Sequence, residues 1–334
     1  MSDQPIECSN ADCTVLTTKK CVEGLEPAEC PNYGKLRKAI EEATATDGAL
    51  EQHTRQLDFA NVLDVVEGSR ILAARPSRVV AVIGTIDAGK TSLIAGLYDA
   101  FQRGPVADIQ FAGSSTLHSF EVACHDSRSA SRREESHIFR TPIGDARFYH
   151  LDLQKGNGSG IISLLISDRA GEEYLMVSRE AVHAEGLFEI HRADTVTVLV
   201  DGDRLTNAIE RHNVKAEVDS IIQGLADGDA LNGRQRLAVV LTKKDAAVAS
   251  DHADRVERDF KRLVSEMRRK FSDRFGQIEP FDTAASPKKP GFNRGEGIPQ
   301  LLKFWLEPVL VQAVDSEPIV SSRDFGRLSQ AVES

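Results

Sequence analysis

Short apolar runs recur through the middle of the chain, at 79–83, 147–153, 161–167, 195–200, 237–242 and 278–283. Their length and their β-branched content predict strands. Between them the apolar positions switch to helical spacing. Leu93 to Phe101 follow it directly after the first strand. Val256, Phe260, Leu263, Val264, Met267 and Phe271 share one helical face, with Arg, Lys and Glu opposite. Ile298, Leu301, Leu302, Trp305, Leu306 and Val309 share another, behind Pro299 in a first turn. Both stripes predict packing against a sheet.

The link at 155–160 is glycine-rich and too short for a helical crossover, so 147–153 and 161–167 predict a hairpin. The other strands are separated by helices, which predicts parallel pairing. The fold class is α/β, a P-loop NTPase arrangement: a doubly wound, mainly parallel sheet with one antiparallel edge strand. Ligands of such sheets bind at the carboxyl ends of the strands.

The flanks read differently. Residues 1–34 are cysteine-rich and poor in large apolar groups. Residues 35–77 predict a helical linker, marked by Leu36, Ile40, Leu50, Leu57, Val62, Leu63 and Val66 and ended by Pro76. The α/β domain spans 78–312, and 313–334 lacks an apolar stripe, predicting a flexible tail. No apolar run approaches the ~20 residues that cross a bilayer. The polar N-terminus does not resemble a signal peptide, so a cytoplasmic, membrane-free protein is expected. A net charge of −10 argues against nucleic acid as a general partner. The basic stretch 128–133, with Arg140 beyond it, predicts a solvated loop.

Four of the five cysteines, Cys8, Cys13, Cys21 and Cys30, crowd into the first thirty residues. Four thiolates suit tetrahedral Zn²⁺, and a structural metal would compensate for the missing core. Their spacing lacks a CxxC knuckle, so free thiols are the alternative. Cys124 stands alone and predicts packing.

The chemistry-bearing segment is Gly84-Thr85-Ile86-Asp87-Ala88-Gly89-Lys90-Thr91, which fits GxxxxGK[ST] between a strand and a helix. Gly84 and Gly89 let successive N–H groups, those of Asp87 and Ala88 among them, curl around one anion. The helix N-terminus, through Ser92, adds donors and a favourable dipole. Lys90 supplies charge for the β- and γ-phosphates, and the Thr91 hydroxyl a ligand for Mg²⁺.

Downstream motifs carry a family resemblance. Asp168-Arg169-Ala170-Gly171, just after the hairpin, resembles the DxxG motif of Ras-like, TRAFAC-class GTPases. The resemblance implies that Asp168 holds Mg²⁺ through water and that the Gly171 amide senses the γ-phosphate. Thr242-Lys243-Lys244-Asp245 resembles the guanine motif [NT]KxD, with Thr in place of the commoner Asn. An ionised Asp245 matches the N1–H and N2–H₂ donors of guanine, which adenine lacks, and the Lys243 stem would lie over the base. Thr283-Ala284-Ala285-Ser286 resembles the fifth motif, with a backbone amide near Ala285 meeting the guanine O6. Thr141 is the switch I candidate, because it stands just before the 147–153 strand; Ser115 and Thr116 are fallbacks. The P-loop and the DRAGEEY segment are also similar to bacterial double-GTPase domains of conflict and defence systems.

The resemblance implies GTP and GDP with Mg²⁺ as ligands, hydrolysis to GDP and phosphate, and a nucleotide-dependent switch. It also implies a protein effector or activating partner, or self-association. Glu172 stands where relatives place a water-orienting Gln. A carboxylate accepts from water but cannot donate to phosphate, so slow intrinsic hydrolysis is expected. Lys90, Thr141, Gly171 and Glu172 are thus the catalytic candidates. Arg140 and Arg169 are candidate cations for the transition state, and Asp87 a candidate for a monovalent cation or a bond within its own loop. The alternative function is a non-hydrolysing, nucleotide-bound scaffold that docks other proteins.

Overall fold

A computed structural model of the chain describes residues 62–132, 144, 146–156, 158 and 160–308, without the side chains of 126–132. The chain divides into units 1–57 and 58–334, and every described residue belongs to the second. The cysteine cluster, Arg140, Thr141, the helix expected before residue 62, Val309 and the tail lie outside the described residues.

Seven strands form one sheet in the order β2-β3-β4-β1-β5-β6-β7. They are β1 (Ser77–Ile83), β2 (Ile109–Gly113), β3 (Arg147–Lys155), β4 (Ile161–Asp168), β5 (Thr195–Asp201), β6 (Arg236–Thr242) and β7 (Gln277–Asp282). From β4 through β1 to β7 the pairing is parallel. β3 runs antiparallel to β4, as the short glycine link requires. One strand beyond those expected, β2, pairs antiparallel with the outer side of β3 and takes the edge. Its side chains are largely exposed, so it lacks the apolar run that marks the other strands.

Ten helices surround the sheet among the described residues. They are α1 (Val65–Ala74), α2 (Lys90–Gln102), α3 (Leu117–Arg132), α4 (Gly171–Arg179), α5 (Phe188–Arg192), α6 (Gly202–Thr206), α7 (Glu210–Asp227), α8 (Lys244–Ala249), α9 (Ala253–Phe271) and α10 (Ile298–Leu306). The pleat of β1 divides the core. Val80 and Val82 join α2, α3 and α10 on one face; Ala81 and Ile83 join α4, α7 and α9 on the other. The α9 stripe is buried as expected, as is the α10 stripe from Ile298 to Leu306. Trp305 is fully buried, and its indole N–H donates to Thr197 Oγ1 at 2.9 Å. α7 is a further helix that the sequence analysis does not name, although Val214, Val218, Ile221, Ile222 and Leu225 form its buried stripe.

α1 opens with a capping box. Glu67 N–H donates to the Asp64 carboxylate at 2.8 Å, and Asp64 N–H donates to Glu67 at 2.9 Å. Leu63, just outside the helix, pairs with Phe148 on β3. Cys124 is buried, with its thiol 3.3 Å from the Ala95 carbonyl, which is packing as expected. Among the described residues no helix is long and apolar enough to cross a membrane.

Candidate functional site

The carboxyl ends of β1, β4, β5, β6 and β7 converge on one corner of the molecule. After β1 the chain turns through Gly84 to Gly89 into α2. The turn uses left-handed backbone at Asp87 (φ 59°) and at Gly89 (φ 97°), the residue that precedes the helix. Gly84 leaves little room: a Cβ there would lie 3.1 Å from Leu199 Cβ and 3.2 Å from Ala88 Cβ. The Lys90 ammonium bends back over this loop and donates to the carbonyls of Gly84 at 2.9 Å and Thr85 at 3.0 Å. Burial pushes the Lys90 pKa below its ordinary 10.5, while the charges of Asp168, Glu172 and Asp87 act the other way. Asp87 itself is exposed on the loop.

β4 ends at Asp168, which is buried near Lys90. Three residues on, Gly171 begins α4 and lies directly on the loop. A Cβ on Gly171 would stand 2.8 Å from both the Thr85 carbonyl carbon and the Ile86 nitrogen. Any side chain there would have to push the phosphate loop and α4 apart. Glu172 and Glu173 follow in the first turn of α4, at the positive end of the helix dipole.

Arg169 does not face the phosphate loop as a free cation. Its Nε donates to Glu189 at 2.7 Å, and its Nη1 donates to Glu173 at 2.6 Å and to the Gly144 carbonyl at 2.8 Å. Glu189 is fully buried, so Arg169 is the counter-charge that its burial requires. The expectation of Arg169 as a cation for the transition state is corrected accordingly. Thr116 is also removed from the switch role. Thr116 is buried against β3, where its hydroxyl accepts from His150 N–H at 2.9 Å, and Ser115 N–H donates to His150 Nδ1 at 3.0 Å. His150 lies three residues along β3 from Arg147, the residue that pairs with Asp168 at the site.

Thr242 closes β6, and its hydroxyl donates to the Ala88 carbonyl of the phosphate loop at 2.8 Å. A single hydroxyl thus ties the two motifs together. Lys243 takes left-handed backbone (φ 51°), and its ammonium pairs with Asp201 at the end of β5 at 2.7 Å. Asp201 also caps α6, accepting from the N–H groups of Asp203 and Arg204. Asp245 is buried, and its Oδ2 accepts from the backbone N–H groups of Lys288 at 2.8 Å and Lys289 at 3.1 Å. Ala284 is buried and paired with Glu296, while Ala285 packs on α2 at Gly96.

The profile of the family described as Double-GTPase 2 matches residues 78–306 of this sequence. The chain belongs to the Double-GTPase 2 family. It is a GTP-binding P-loop protein, and the corner just described is where that fold presents its nucleotide motifs. The chain is also similar in structure to the signal recognition particle receptor SRb-GTP/SRX complex from Chaetomium thermophilum. That match has 14% identity, covers 69% of this chain and 95% of that chain, and has a TM-score of 0.37. No curated protein matches the chain.

The residue set of this Double-GTPase 2 domain fits Mg²⁺ and a triphosphate. Thr91 and Asp168 are oxygen donors, the type a hard cation selects. The carbonyls now held by Lys90 show that its ammonium reaches the mouth of the loop. Among the described residues no group of three or more His, Cys, Asp or Glu could hold a metal by itself, so phosphate oxygens and water would complete the Mg²⁺ shell.

Sequence reasoning missed Arg204 in α6. Its guanidinium is clamped by Glu217 and Glu210 and comes within 3.4 Å of the Thr85 hydroxyl. These two carboxylates push its pKa further up. No local pattern announces this contact, because Thr85 lies 119 residues away in sequence.

Proposed function

We propose that this protein binds GTP with Mg²⁺ and hydrolyses it slowly to GDP and phosphate, using the segment 171–192 as a nucleotide-dependent switch. The observation that carries the reading is the seating of Gly171 on the Thr85–Ile86 peptide, beside Lys90 and Asp168. A glycine in that place can bring its N–H to a γ-phosphate, and its loss of that contact on hydrolysis would free α4.

The roles follow from chemistry. Lys90 exchanges the Gly84 and Thr85 carbonyls for phosphate oxygens, which restores a full charge partner to a buried ammonium. The N–H groups of 87–92 cradle the phosphates. Thr91, with Thr141 as the switch I candidate, would provide oxygens for the metal, and Asp168 would hold it through water. When bound, Mg²⁺ neutralises charge on the β- and γ-phosphate oxygens. Asp245 reads the guanine edge, Lys243 covers the base, and Ala284 and Ala285 line it. Thr242 supports the corner rather than the base itself.

Glu172 cannot donate to the γ-phosphate and repels it, which supports a slow rate raised by an activating partner or by self-association. The same observation favours a second reading, a scaffold that binds GTP without hydrolysing it. The resemblance to bacterial double-GTPase domains supports a setting in conflict or defence systems. Cys8, Cys13, Cys21 and Cys30 would hold a structural zinc, which a metal assay of chelator-free protein tests.

Competition among GTP, ATP and XTP tests the base assignment. Wild type should prefer GTP, and Asp245→Asn should shift the preference to XTP, whose base carries an acceptor where guanine has a donor. Equal competition by ATP would remove the assignment. Hydrolysis that rises with protein concentration and vanishes in Lys90→Ala supports the switch; bound but unhydrolysed GTP at every concentration supports the scaffold.

A further inference from the structure

Asp245 already has partners where a base would be read. Its Oδ2 accepts two N–H groups from consecutive residues, Lys288 and Lys289. Two adjacent N–H donors on one carboxylate are what the guanine edge offers. The oxygens of a carboxylate stand about as far apart as guanine N1–H and N2–H, so the base needs both, with one donor on each. Both acceptor positions of Oδ2 are taken by the loop, while Oδ1 takes no hydrogen bond among the described residues.

The neck of the loop is closed by the Ala284–Glu296 bridge, with Ala284 N–H donating to Glu296 O and Gly295 N–H donating to Ala284 O, each at 3.0 Å. Lys244 holds the neck by pairing with Asp282 at 3.0 Å and Glu296 at 3.1 Å. Beyond the neck, Lys288, Lys289 and Pro290 are exposed. Little burial at 288–290 opposes lifting of this tip. Pro287 and Pro290 stiffen it, so it holds its donors in place at low entropic cost.

We propose that the loop at 286–290 is an internal competitor for the base: its Lys288 and Lys289 N–H groups occupy the Asp245 carboxylate until guanine displaces them. The inference rests on the reading of Asp245 as the guanine acceptor. The displacement exchanges two donors for two, so a guanine edge can drive it. Adenine has no donors at N1 and C2 and leaves the loop in place.

Amide exchange followed by mass spectrometry tests this over 286–291. Pro287 and Pro290 have no N–H, so Lys288 and Lys289 supply two of the segment's four amides. GDP should speed exchange in this segment while slowing it over 84–92, and ADP at equal concentration should change neither. Asp245→Ala should show the fast loop exchange without any nucleotide. The double variant Pro287→Gly, Pro290→Gly keeps both donors but loosens the tip, and it should bind fluorescent GDP roughly tenfold faster. Loop exchange that slows or stays unchanged while GDP binds overturns the competitor and makes the loop a support for Asp245. If wild type binds no GDP, the guanine reading falls, and this inference with it.

Discussion

The hydroxyl of Thr242 donates to the carbonyl of Ala88 at 2.8 Å, across 154 residues of sequence. The end of β6 and the phosphate loop are therefore one hydrogen-bonded corner. The hydroxyl also lies 3.3 Å from the Val200 carbonyl, so it bridges β5, β6 and the loop.

Thr242→Val preserves the shape of the side chain and removes its donor. The buried Ala88 carbonyl then loses its hydroxyl donor, which should cost about 1–3 kcal/mol in urea unfolding. Nucleotide affinity should fall with it, because Ala88 is a wall of the phosphate loop. Thr242→Ser should retain most of both properties.

Gly171→Ala places a methyl 2.8 Å from two backbone atoms of the phosphate loop. Backbone cannot move aside as a flexible side chain can, so α4 must shift. Hydrolysis should drop by at least about tenfold, while GDP, which lacks the γ-phosphate, should bind nearly as before. Phosphate release and equilibrium GDP binding on the same preparation check this.

Arg169→Ala leaves Glu189 buried without a counter-charge. The expected loss is about 3–5 kcal/mol in denaturant unfolding, a stability effect ahead of any catalytic one. Adding Glu189→Gln to Arg169→Ala should recover part of that loss, since the buried charge is then gone. A cation acting on phosphate would show the reverse, a large rate loss with little change in unfolding.

Asp259 joins α7 to α9 through Arg211 at 2.8 Å and Lys215 at 3.1 Å. Burial alone pushes its pKa up, but the hydrogen bonds and charges of Arg211 and Lys215 outweigh burial and hold it below its ordinary 3.8. The folded pKa lies below the unfolded one. Its stabilisation is therefore complete above the unfolded value and is lost as pH falls through the folded value. Asp259→Asn should unfold at lower urea than wild type at neutral pH, and the gap should narrow below about pH 4.

Several features are legible in the sequence. The strands ending at Ile83, Thr242 and Asp168 lie within a residue of their expected ends, because period-two and continuous apolar runs are local signals. The α9 and α10 stripes are local in the same way. The hairpin of β3 and β4 followed from a glycine link too short for a helix. β2 was not legible, because an edge strand with exposed side chains carries no apolar period. α7 carries a stripe in the sequence, from Val214 to Leu225, as local as those of α9 and α10.

The sequence by itself determined which residue types stand at the strand ends: Gly84, Lys90, Asp168, Gly171, Thr242 and Asp245. Motif spacing records chemistry that must be close in the chain, such as a loop curling around phosphate. Tertiary structure alone decided which of the candidate residues are already engaged. Arg169 is spent on Glu189, Lys243 pairs with Asp201, Thr116 folds onto His150, and Asp245 holds the N–H groups of Lys288 and Lys289. Each of these partners lies 20 or more residues away. Burial of a charge or a polar group demands a partner, and the chain supplies whichever one folding brings within reach.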